Sequence, residues 1–181
     1  MKPQLAEDER PPATLSLREY LTSIWHPDCD FVDGQTEDRN VGSLDHSIMI
    51  RSLLWMLTDK REPWELMALP SLRMCVAPTR IRVPDICVIQ RNNPREKILT
   101  HPPLIATEIL DNEDRAGAML EKLDDYCRFG IEHVWLVNPM RCQAHRNTFR
   151  SLEEVRSGEL TVPGTPIRIV LSELFAELDQ A

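Results

Sequence analysis

Residues 81–89 read Ile-Arg-Val-Pro-Asp-Ile-Cys-Val-Ile, and residues 104–110 read Leu-Ile-Ala-Thr-Glu-Ile-Leu. Each run has the length and apolar character of a buried strand, and each carries one carboxylate, Asp85 or Glu108. Burying a carboxylate is costly unless something pairs with it, so two acids in two core strands ask for one explanation. Between the runs, residues 91–103 hold three prolines and two adjacent asparagines, the composition of a loop. Beyond Glu108, residues 114–129 have helical spacing and stop at Gly130, a residue suited to the left-handed position that closes a helix. Residues 133–138 then form a third buried strand, ended by Pro139.

Working outward, residues 15–24 predict a helix with Leu17, Tyr20, Leu21 and Ile24 on one stripe. Residues 30–34 read as a strand entering an Asp-Gly turn. Ser43 and Asp45 offer caps for a helix running to Leu57, with Ile48, Leu53, Leu54 and Leu57 facing the core. Residues 71–89 are strand-like with a break near Pro78, residues 143–149 and 167–170 suggest further strands, and residues 172–178 a terminal helix. Helices and strands mix without strict alternation. The predicted class is therefore α/β of the α+β kind, a central mixed β-sheet flanked by α-helices.

At 181 residues the chain fits one domain, with residues 1–14 as a polar, disordered tail and 15–181 as the folded unit. Hydrophobic residues make up 42 %, which excludes disorder as the main state. No stretch approaches the ~18 consecutive apolar residues of a membrane span, and residues 1–12 have no apolar signal-peptide core. The five cysteines are scattered and lack zinc-site spacing, which suggests a reduced, cytoplasmic protein. A net charge of −8 argues against a generally basic nucleic-acid binder. Local arginines and carboxylate-held metal ions can still invert the field at a site.

A shared divalent cation accounts for the two acids. Mg²⁺ (or Mn²⁺) takes hard oxygen ligands, commonly one or two carboxylates with water and substrate phosphate. If the two strands are neighbours, alternation puts Asp85 (with Cys87 and Ile89) on the same side as Glu108 (with Ala106 and Leu110). The plainer alternative leaves each acid at a strand end, solvated or paired with an arginine such as Arg82. In the helix that follows, Met119, Leu120, Leu123 and Tyr126 form a buried stripe. Lys122 lies at its border, where its stem could run along the core and its ammonium reach the sheet, although spacing alone favours a surface lysine. Arg115, seven residues earlier, shares its side and could touch phosphate.

These residues carry a resemblance. Val83-Pro84-Asp85, Glu108-Ile109-Leu110, Lys122 with Tyr126, Gly130 and residues 135–139 (Trp-Leu-Val-Asn-Pro) together resemble the Uma-type restriction endonucleases of the PD-(D/E)xK nuclease superfamily. Residues 30–34, Asn40-Val41-Gly42 with His46, and a C-terminal end with Gly158, Leu160, Leu174 and Phe175 extend the resemblance over roughly residues 16–178. It implies a restriction-endonuclease-like fold and an endonuclease that hydrolyses nucleic acid, DNA first, with a Mg²⁺-activated water. Asp85 and Glu108 would be the metal ligands and Lys122 the catalytic lysine, with Asp30 an accessory acid and His46 a recurring histidine. Lys122 departs from the superfamily position two residues after the second acid, which here is Leu110. Asp111-Asn112 stands where the family commonly has Ser-Pro, and Asp30 replaces its more usual glutamate. Cutting both strands with one site per chain favours a symmetric pair, and the resemblance suggests a homodimer. The competing readings are a degenerate nuclease fold kept as a binding or assembly module, and a metal-dependent hydrolase with a different substrate.

Overall fold

The run 81–89 is two strands belonging to different sheets, and the break falls at Val83-Pro84-Asp85. The computed structural model describes residues 14–26, 28–39, 42–59, 65–112, 114–148 and 151–180. Residues 1–13 of the expected tail, Asn40-Val41 and Phe149 lie outside the described residues. A short helix α1 (Leu17–Thr22) leads into β1 (Cys29–Val32) and β2 (Gln35–Asp38), followed by the long helix α2 (Leu44–Asp59). Strands β3 (Leu66–Pro70), β4 (Met74–Ala77), β5 (Arg80–Arg82), β6 (Ile86–Gln90) and β7 (Ile105–Ile109) precede α3 (Ala116–Phe129). Then come β8 (His133–Asn138), β9 (Gln143–Thr148), β10 (Ser151–Glu154), β11 (Glu159–Thr161), β12 (Arg168–Val170) and α4 (Leu171–Ala176).

The central sheet has the order β10-β9-β8-β7-β6-β3, and β5 belongs to a second sheet, β2-β1-β5-β4. The central sheet is mixed because β7 and β8 run parallel while their neighbours pair antiparallel. A parallel pair needs a crossover, and α3 supplies it. Gly130, at φ 99°, closes α3, with the Ile131 N–H bonded back to the Tyr126 carbonyl at 3.1 Å. α2, α4 and the β11–β12 hairpin cover one face of the sheet around Trp135, Ile105 and Leu174. α3 packs on the other face, with Leu123 and Tyr126 against Ala106, Leu136 and Met74 of β4. A third cluster seats Tyr20 of α1 on Phe31 and Ile81 of the smaller sheet.

Two apolar positions depart from the sequence pattern. Ile24 is 83 % exposed and Leu120 48 % exposed. α1 ends at Thr22, before Ile24 can join its stripe, and Leu120 sits on the solvent side of α3. Strands β2, β3, β10 and β11 go beyond the elements read from sequence. No helix among the described residues is long and apolar enough to cross a membrane. All five cysteines are free.

Candidate active site

The crossover between sheets creates the site. Val83 and Asp85 lie outside any strand, so their backbone groups need partners other than a ladder. The Asp85 carbonyl accepts the Ser71 N–H at 3.2 Å, and side chains serve Val83. Asp30 on β1 accepts the Val83 N–H through Oδ1 at 2.8 Å, and the Lys122 ammonium donates to the Val83 carbonyl at 3.0 Å. Pro84 needs no such partner for its nitrogen, because it has no N–H to satisfy. The register Ile86↔Thr107 then sets Asp85, one residue before Ile86, alongside Glu108.

Lys122 is buried rather than at the surface, as spacing alone had favoured. Its Nζ lies 3.0 Å from Glu108 Oε1 and 3.4 Å from Asp30 Oδ2. The hydrogen bond to the Val83 carbonyl and these two ion pairs surround the ammonium. The Tyr126 hydroxyl donates to the same Glu108 oxygen at 2.5 Å. Lys122 and Tyr126 are four residues apart on α3, so both reach β7 from one face of the helix. Burial would lower the Lys122 pKa, but Asp30, Glu108 and Asp85 outweigh it and raise it, so the ammonium stays charged.

The two central acids differ in kind. Burial pushes Glu108 up to about 7, with Lys122 opposing and Asp85 adding to the rise. Burial also acts to raise Asp85. There the hydrogen bond from His46 and the charges of Lys122, His46 and Arg39 prevail and hold it at about 2. Asp85 Oδ2 accepts the Ile109 N–H at 2.9 Å and lies 3.2 Å from His46 Nε2, while Oδ1 accepts from Arg39 Nη2 at 2.8 Å.

Arg82 does not pair with Asp85, against the plainer expectation. It is 1 % exposed and serves Asp30, Glu37 and Asp125, at 3.3, 2.6 and 2.9 Å. Asp30, His46, Asp85, Glu108, Arg115 and Lys122, all singled out in the sequence, line one cleft of about 580 Å³. Arg115 is exposed at the start of α3 and has no side-chain partner among the described residues. Sequence reasoning missed Glu37 on the short polar strand β2 and Arg39 just after it, where no pattern marks them, and the hydrogen bond of Tyr126, read there only as a core residue.

Asp111, one of the departures from the family pattern, ties the exit of β7 to the start of α2. Its Oδ2 accepts the Ser43 N–H at 2.5 Å, and Ser43 Oγ accepts the His46 N–H at 3.3 Å. Gly42, at φ 79°, completes this setting, because a Cβ there would fall 2.6 Å from His46 Nδ1. His46 loses by burial but gains more from Asp85, Asp111 and Asp114, so its pKa is raised. A raised histidine pKa stabilises the fold below its unfolded value and gives that up as pH rises through the folded one. Gly42→Ala should drive the ring off Asp85 and bring its pKa down, at a backbone cost of about 1–2 kcal/mol. An NMR titration of His46 checks this, and an unmoved pKa would mean that the glycine does not set the ring.

A family model described as "Putative restriction endonuclease" matches residues 18–172. The chain belongs to that family. A crystal structure from Anabaena variabilis, described as a putative nuclease of a domain family of unknown function, superposes with a TM-score of 0.79 at 19 % identity. The match covers 91 % of this chain and 99 % of that one, and at this identity it speaks for the shared fold. Among curated proteins, none matches.

Proposed function

We propose that this family member is a Mg²⁺- or Mn²⁺-dependent endonuclease that hydrolyses DNA phosphodiesters, with Asp85 and Glu108 as the metal ligands. The observation that carries the reading is the buried pair itself, two adjacent carboxylates opening onto a cleft, one of them pushed up to about 7. A divalent cation suits that donor set. Among the described residues no three His, Cys, Asp or Glu side chains form a group that could hold a metal ion. Mg²⁺ does not need one, since it keeps several waters and shares its shell with substrate phosphate. Such an ion supplies charge to the scissile phosphate and acidifies a water for attack.

The chain's own residues do the rest. Lys122 compensates the charge of Glu108 and Asp30 and fixes the crossover on which Asp85 sits. Tyr126 holds the Glu108 carboxylate, and the Ile109 N–H and His46 orient that of Asp85. Arg115 and the open N-terminus of α3 offer positive potential for a backbone phosphate on the rim. Two copies of the chain in a symmetric dimer would present one cleft to each strand of a duplex.

Incubation of the protein with supercoiled plasmid and Mg²⁺ or Mn²⁺, with and without EDTA, tests the activity. Nicking that appears with metal and stops with chelator is expected. No nicking, together with no Mn²⁺ binding by calorimetry, would favour a binding or assembly module instead. Mn²⁺ affinity should also rise with pH towards 7 by about tenfold per unit, as a ligand proton leaves on binding. Asp85, held at about 2, adds no slope there, whereas His46 on its Oδ2, with a raised pKa, can add its own, so the part of the slope that Glu108→Gln removes is the part owed to Glu108. A flat profile from pH 5.5 to 7 would remove Glu108 from the ligand set.

A further inference from the structure

Asp85 is gripped from two sides that differ in permanence. The Oδ2 side is fixed by the buried Ile109 N–H of β7 and by His46, itself seated against Gly42. The Oδ1 side is covered by Arg39, which follows the last residue of β2 and keeps 18 % of its side chain exposed at the cleft. Its other side-chain hydrogen bond among the described residues is a longer one, Nη1 to the exposed Ser71 Oγ at 3.3 Å. Arg82 is the contrast, 1 % exposed and held by three carboxylates. Arg39 is thus a permanent cation on a long flexible stem, held mainly by a carboxylate that the proposed metal would share.

We propose that Arg39 is an exchangeable counter-cation. Without metal it neutralises Asp85 through Oδ1. When a divalent cation binds, the guanidinium turns into the cleft and takes a phosphate oxygen of the substrate. The inference rests on the metal-site reading above. Two facts favour the exchange over a static brace. A guanidinium stays charged at any working pH and would be repelled by a divalent ion on the same carboxylate. Its planar fork also suits phosphate as well as carboxylate. Arg39 beyond β2 and Arg115 at the start of α3 come from different elements to one cleft, so a phosphate chain could meet a cation from each. Leaving Asp85 for phosphate makes metal and substrate binding help one another, and such coupling is reciprocal.

Calorimetric Mn²⁺ titration of wild type, Arg39→Met and Arg39→Lys, alone and with an uncleavable phosphorothioate duplex, tests this. Arg39→Met should bind Mn²⁺ about tenfold more tightly than wild type without DNA, a coupling of ordinary size. Wild type should gain Mn²⁺ affinity when the duplex is added, and Arg39→Met should gain much less. Arg39→Lys, which keeps the charge without the fork, should bind Mn²⁺ with intermediate affinity and also lose most of the gain. Equal or weaker Mn²⁺ binding by Arg39→Met, or an undiminished gain with duplex, would overturn the exchange and make Arg39 a fixed brace. A wild type that binds no Mn²⁺ would overturn the metal reading, and the exchange with it. The first result leaves the metal site standing and the second does not.

Discussion

Asp85→Asn should remove metal-dependent nicking, by at least about a hundredfold, since even a partner outside the ligand shell can cost that much at a metal site. The substitution preserves shape, and with its amide oxygen on the Ile109 N–H and His46 it loses only the acceptor that faced Arg39, whose guanidinium must turn away from the new NH₂. The larger loss is the charge. Asp85 is held at about 2 because His46, Lys122 and Arg39 together outweigh its burial. A folded pKa below the unfolded value means the carboxylate contributes stability above the unfolded pKa and loses it as pH falls through about 2. Asparagine forgoes that contribution at neutral pH, at a cost of about 2–3 kcal/mol by the size of the shift. The variant should therefore melt earlier but remain folded, bind no Mn²⁺ and leave plasmid intact. Near-normal nicking by a folded Asp85→Asn protein would show that Asp85 is not a ligand.

What could be read from sequence follows from how each signal is stored. The β7–α3–β8 unit was legible because its signals are local, an apolar run, a helical stripe, a glycine stop and a second apolar run. Glu108 stood out as a charge where burial penalises one, and the same argument found Asp85. Its position needed the fold, since the change of sheet at Val83-Pro84 leaves the apolar pattern unbroken. Lys122 was ambiguous. Helical spacing puts a residue on a face, but the height of β7 and the reach of an ammonium decide whether that face is wet. Arg39 was invisible. It stands at the end of a short, mostly exposed strand, and its partner Asp85 is 46 residues away. Strands β2 and β10 escaped for the same reason, because neither buries a face that alternation could mark.

Lys122→Met should cost about 3–5 kcal/mol at pH 8, the range for stripping a buried ion pair of one partner. Methionine fills the stem's volume, so the loss is chiefly electrostatic. Glu108 and Asp30 lose their shared cation, although Asp30 retains Arg82, and the Val83 carbonyl loses its donor. Glu108 has its pKa raised by burial to about 7 even with Lys122 lowering it, and without Lys122 it rises further. A carboxyl whose folded pKa exceeds its unfolded value takes up a proton on folding. The resulting stabilisation is complete below the unfolded pKa and is lost as pH rises through the folded one. At pH 5 Glu108 is therefore largely neutral in both proteins, and the penalty should shrink. At pH 8 it should be largest, and adding Glu108→Gln to Lys122→Met should recover much of it, a positive coupling in a double-mutant cycle. Urea denaturation of the four proteins at the two pH values measures all of this. Equal losses at pH 5 and pH 8, with no recovery in the double variant, would mean that Lys122 supports the fold through the Val83 carbonyl and not by holding the charge of Glu108.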